Sequence, residues 1–151
     1  MKSVIAISVL CMILIIGCFN VGAGNLPMAS EGYQPKKNYE KRFNELWNTI
    51  QSVLLEEHIN VITQDKENKR IQTDYIQGAT QVGLIGGSLS TRYKYNIVFP
   101  SNSENNTSIN IIANLESSSK SIDWHDISQD NAEKVTGLEN YLYEKIEQKL
   151  R

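Results

Sequence analysis

Two thiols, Cys11 and Cys18, are the most reactive groups in this 151-residue chain, and their positions differ in what chemistry they allow. A thiolate is the nucleophile that a thioether bond to lipid requires. Cys18 ends the run Ile15-Ile16-Gly17-Cys18, with a small residue directly before it. Cys11 lies inside the apolar stretch Val4 to Ile16, which only Ser8 interrupts. That stretch is shorter than the roughly 20 apolar residues needed to span a bilayer. Lys2 puts a positive charge ahead of it. Charge, short apolar core and small residue at the cut form the pattern of a removable export signal.

The other reactive side chains are sparse. The chain has two histidines, His58 and His125. His125 sits in Trp124-His125-Asp126, but neighbouring residues on a strand point to opposite faces, so the pair does not read as a catalytic couple. No Gly-x-Ser-x-Gly elbow is present, and no second histidine stands at ligand spacing for a metal. We therefore expect no catalytic residues, no metal and no cofactor. The stretch Gly78 to Ser90, GATQVGLIGGSLS, is rich in glycine but lacks the Gly-Lys-Ser/Thr that grips phosphate. It reads as a hairpin loop. Val82, Leu84 and Ile85 in it are candidates for contact with a partner or with lipid, because exposed apolar side chains mark interaction sites.

The Ile15 to Cys18 segment resembles the lipobox of bacterial lipoproteins. That resemblance implies cleavage before Cys18, acylation of its thiol, and attachment to an envelope membrane. Residues 1–17 are then the signal peptide, 18–38 a lipidated tether, and 39–151 a single domain. One acyl chain contributes roughly 0.8 kcal/mol per buried CH₂ and holds a protein only marginally, so firm anchoring takes more than one. Lipoproteins normally carry at least two. The tether contains Gly22, Gly24, Pro27, Gly32 and Pro35 and shows no period. A flexible chain of that length has a root-mean-square span of roughly 25 Å. Residue 19 is Phe. An Asp there would imply inner-membrane retention by the enteric rule, so Phe fits the periplasmic face of the outer membrane.

Lys and Arg total 15 against 17 Asp and Glu. Without a basic block the chain is a poor nucleic-acid binder, since phosphate contacts need clustered cations. Once Cys11 leaves with the signal and Cys18 is acylated, no intramolecular disulfide can form.

The elements that would carry these residues follow from periodicity. Tyr39, Phe43, Leu46, Trp47, Ile50, Val53 and Leu54 share one helical face, and this helix should end near Glu57 or His58. Strands are predicted over Ile59 to Gln64, Arg70 to Gln77, Thr91 to Phe99 and Thr107 to Glu116. In the second of these, Ile71, Thr73 and Tyr75 should share a face. Polar alternates such as Lys94, Asn96, Asn110 and Asn114 leave the sheet one wet face. Ile122 to Ile127 reads equally as a strand or a loop. Asp130 with Glu133 fits a capping box before a last helix whose stripe is Val135, Leu138, Leu142, Ile146 and Leu150, widened by Tyr141. The fold class is α+β: an antiparallel meander of about four strands packed on N- and C-terminal helices.

Residues 39–150 resemble the domain repeated in the BamC (NlpB/DapX) lipoproteins. The resemblance rests on Phe43-x-x-Leu46-Trp47, Asp65 before Ile71-Gln72-Thr73, Arg92-Tyr93-x-Tyr95-x-Ile97, and Thr107-x-Ile109-x-Ile111. It implies a helix-grip fold and a non-catalytic accessory or scaffold role, with an envelope protein as partner, in outer-membrane protein assembly. An alternative is a periplasmic small-ligand module, with Tyr75, Tyr93 and Tyr95 lining a cavity between sheet and helix.

Overall fold

The computed structural model describes residues 36–82, 87–120 and 122–151. Two helices, α1 (Phe43–Glu56) and α2 (Ala132–Leu150), cover one face of an antiparallel sheet, giving an α+β fold. The strands are β1 (Lys36–Tyr39), β2 (Val61–Asp65), β3 (Arg70–Thr73), β4 (Ile76–Val82), β5 (Ser88–Val98), β6 (Thr107–Ser118) and β7 (His125–Asp126). The order β2-β3-β5-β6 is the predicted meander, with β1 added beyond β6. β4 continues along β5, and β7 pairs with the far end of β6.

Among the described residues the sheet thus has seven strands rather than about four. Of the additional ones, β4 arises where the predicted strand Arg70 to Gln77 breaks and continues into the glycine-rich stretch, and β1 and β7 are short. β1 and β7 have too few residues to show a period, and only pairing with β6 defines them. β1 also moves the start of the domain. Residues 36–38, expected in the tether, belong to the sheet, and Lys37 is ion-paired with Glu147 of α2 at 2.7 Å.

α1 buries Leu46, Trp47, Ile50, Val53 and Leu54, the stripe its spacing predicts, whereas Tyr39, expected on the same helical face, lies in β1 and packs on the core from there. Phe43 and Trp47 meet Phe99 with ring centroids 5.1 and 5.3 Å apart. The helix stops in a Schellman turn: His58 N–H donates to the Leu55 carbonyl and Ile59 N–H to that of Leu54. His58 takes the left-handed φ of 56° that this turn needs. α2 buries Leu138, Leu142, Tyr143 and Ile146. It is Tyr143 that is fully buried, whereas Tyr141, expected to widen the stripe, is half-buried and donates to Glu57. Hydrogen bonds from Lys145 and Tyr141 hold the Glu57 carboxyl below its ordinary range and tie the two helices together. The capping box is not formed. Asn131 is the N-cap of α2, so Asp130 lies one residue too early, and no side chain caps the helix.

Candidate functional site

β6 is the strand on which the polar chemistry of the fold converges. β1 pairs with its residues 107–110 and β7 with Glu116 and Ser117. Between them, among the described residues, no strand covers that edge. Side chains do so instead. Tyr143 Oη accepts the Ile111 N–H, Glu139 Oε1 accepts that of Ala113, and Ser128 Oγ accepts that of Leu115, each at 3.0 Å. The spacing is a geometric match. Four residues of helix rise about 6 Å and two residues of strand about 6.7 Å, so positions 139 and 143 run in step with 113 and 111. Burial pushes the Tyr143 phenol up to about 12, which keeps it a neutral hydroxyl at this edge.

On the opposite, uncovered face, Arg92 of β5 stands across from Glu116 of β6. Its Nε and Nη2 both donate to Glu116 Oε2, at 2.8 and 2.7 Å. The Tyr75 hydroxyl donates to Glu116 Oε1 at 2.6 Å and accepts from Lys94 at 3.0 Å. The guanidinium is stacked between two rings, 3.8 Å from the centroid of Tyr75 and 4.1 Å from that of Trp124. Partial burial pushes the Glu116 carboxyl up. The hydrogen bonds from Tyr75 and Arg92, with the charges of Arg92 and Lys94, outweigh that and hold it below its ordinary range. Asp126, across from Glu116, is lowered by hydrogen bonds from Ser128. The result is a fixed aromatic and guanidinium platform, its charges paired.

The structure does not bring the three tyrosines into one cavity. Tyr95 is fully buried on the helix-covered face, and its hydroxyl donates to the Leu138 carbonyl. Tyr93 packs edge-on against it with centroids 5.6 Å apart. Tyr75 lies on the other face, separated from Ile71 and Thr73. The register explains this. Gln72 faces Asn96 and Ile76 faces Tyr93, so the β3–β4 side carries one extra residue. Such a bulge reverses side-chain direction. Thr73 Oγ1 accepts the Tyr95 N–H at the break.

Val82 ends β4 and is exposed. Leu84 and Ile85, and the lipidation candidate Cys18, lie outside the described residues. His125 faces Ser117 and Asp126 faces Glu116, so their side chains leave the strand on opposite sides. Among the described residues, no group of three or more His, Cys, Asp or Glu is placed to hold a metal ion, and no helix is long and apolar enough to cross a membrane. An open polar groove of about 330 Å³ lies between β1 and the β5–β6 loop, lined by Lys36, Asn38, Asn102 and Ser108 among others. Glu139 and Tyr143 escaped the sequence reading because they fall outside the predicted stripe of α2, and Ser128 because it lies before the helix, where no period reports on it. Arg92 and Glu116 escaped it because only strand register joins them.

No family model matches the sequence, and no curated protein matches it. Among solved structures, the crystal structure of a DUF4468 family protein from Bacteroides ovatus ATCC 8483 is similar, with 9% identity and a TM-score of 0.39. The match covers 84% of this chain and 85% of that one.

Proposed function

We propose that this protein is a lipid-anchored accessory or scaffold protein of a bacterial envelope, working through contacts rather than through bond chemistry. One observation carries the reading: Gly17 and Cys18 stand where the short apolar run ends and a polar, glycine-rich segment begins. A small residue, a thiol and the end of the apolar run fall together as acylation requires. The sheet's open face supports the second half of the reading. An arginine held against two aromatic rings and paired with a carboxylate is pre-ordered, and Arg, Tyr and Trp are the side chains that protein interfaces favour. The proposed partner is an envelope protein. The proposed place is the periplasmic face of the outer membrane, for which Phe19 is the sequence support. The likeness of residues 39–150 to the BamC repeat makes outer-membrane protein assembly the proposed setting.

The test is fractionation of cells carrying Cys18→Ser. The wild-type protein should sediment with membranes and the variant should move into the soluble periplasmic fraction. Unchanged membrane partition of the variant contradicts the proposal.

A further inference from the structure

Six large apolar side chains stand exposed among the described residues, and three of them gather at one end of the sheet. Val82 (55% exposed) closes β4, Leu89 (43%) lies at the start of β5, and Ile122 (77%) lies between β6 and β7. Strand register places Val82 and Leu89 at this end, and Ile122 lies in the connection that turns back there between Ser118 and His125. Val82 faces Ser88, Ser90 faces Ser118, and the connection to β7 follows directly.

Val82 and Leu89 do not form a flat patch. Paired residues of a ladder share a face and successive residues alternate. Val82 faces Ser88 and Leu89 faces Gln81, so the two side chains leave the ribbon on opposite sides. A flat protein surface laid on the ribbon covers one and leaves the other wet. An apolar slab entered end-on takes both. The sequence around them is suited to that medium: Tyr75 to Thr91 contains no charged residue, and charge is what makes entry costly. Lys120 and Asp123, on either side of Ile122, limit the contact to headgroup depth, where polar groups stay hydrated.

The direction of β1 adds an independent constraint. Lys36 faces Asn110 and Tyr39 faces Thr107, so the amino end of β1 points along β6 toward Ser118, the hairpin end. At about 3.3 Å per residue, Ser118 lies about 26 Å farther along the strand than Asn110. Residues 19–35 separate Cys18 from β1, and a chain of that length reaches at most about 60 Å. An acyl chain on Cys18 and the hairpin end can therefore meet one plane.

We infer that the end bearing Val82, Leu89 and Ile122 is a second lipid-contacting surface. It stands the sheet upright on the bilayer that holds Cys18, and it directs the polar groove at the other end away from lipid. The inference rests on the anchoring proposed above and adds an orientation to it.

The test uses acylated mature protein purified from membranes and reconstituted into phosphatidylethanolamine–phosphatidylglycerol vesicles that contain nitroxide lipids. Cleavage removes Cys11 and acylation occupies Cys18, so Leu89→Cys introduces a single labelling site for a fluorophore. Glu104→Cys, in the exposed loop at the opposite end, is the control. The label at position 89 should be quenched several-fold more than the label at position 104. Equal quenching in protein that floats with the vesicles overturns the inference and leaves the anchor standing. Failure to float removes the anchor and the inference together. A label at 89 that stays wet on lipid but becomes shielded on adding envelope proteins also overturns it, in favour of a protein contact.

Discussion

Along the middle of β6, three backbone N–H groups without a strand neighbour are taken up by Tyr143, Glu139 and Ser128. At the end of the β4–β5 hairpin, Val82 and Leu89 remain exposed among the described residues. Both regions are sheet margins, and margins are where strands recruit other chains. The first is closed by polar side chains delivered at helical spacing. The second stays open and lacks charge. The difference teaches that this fold seals the margin nearest its core, while three of the six large apolar side chains left exposed among the described residues lie at one end.

The contrast can be broken most severely at Glu139. Replacing it with Ala strands the Ala113 N–H in the protein interior, which costs about 1–3 kcal/mol. Glu139→Gln keeps an acceptor in place and should recover most of that loss in urea unfolding. Equal destabilisation by both variants would mean that the carboxylate, and not the hydrogen bond to β6, is what matters there.

A smaller effect is expected on the open face. Folding lowers the pKa of Glu116. Its contribution to stability is therefore complete above the ordinary glutamate value of about 4.3, and it is lost as pH falls through the lower folded value. Glu116→Gln should flatten this part of the acid dependence, by about 1 kcal/mol for a partly buried pair at the sheet surface. An unaltered acid profile would show that the Arg92–Glu116–Tyr75 arrangement adds nothing measurable to stability.

The smallest effect belongs to the hairpin end. Leu89→Ser should change unfolding free energy by less than about 0.5 kcal/mol, as exposed positions do. A loss as large as that of Glu139→Ala would mean that Leu89 supports the fold, and the two margins would no longer differ.

Much of the architecture was legible in the sequence, for physical reasons that also mark where legibility stopped. Leu46, Trp47, Ile50, Val53 and Leu54, and likewise Leu138, Leu142 and Ile146, repeat at three and four because one helical stripe faces the core. Tyr95 and Ile97, with Ile109, Ile111, Ala113 and Leu115, alternate because one sheet face does. Periodicity carries no information about register. It therefore placed Tyr75 beside Thr73, where the bulge between β3 and β4 turns it to the opposite face. It could not see β1, which exists only as a partner of β6, and it left Ile122 to Ile127 open between strand and loop, where pairing with β6 makes His125–Asp126 the strand β7. It gave no sign of Glu139, since a buried carboxylate acceptor has no period. Of the candidate site residues, the described structure locates Val82 and the three tyrosines. Cys18, Leu84 and Ile85 remain sequence readings.

The most direct measurement of the central claim is the mass spectrum of the protein extracted from membranes of its native host. The account predicts a chain that begins at Cys18, with residues 1–17 absent and a diacylglyceryl group on the sulfur. An intact amino terminus with an unmodified Cys18 would contradict it.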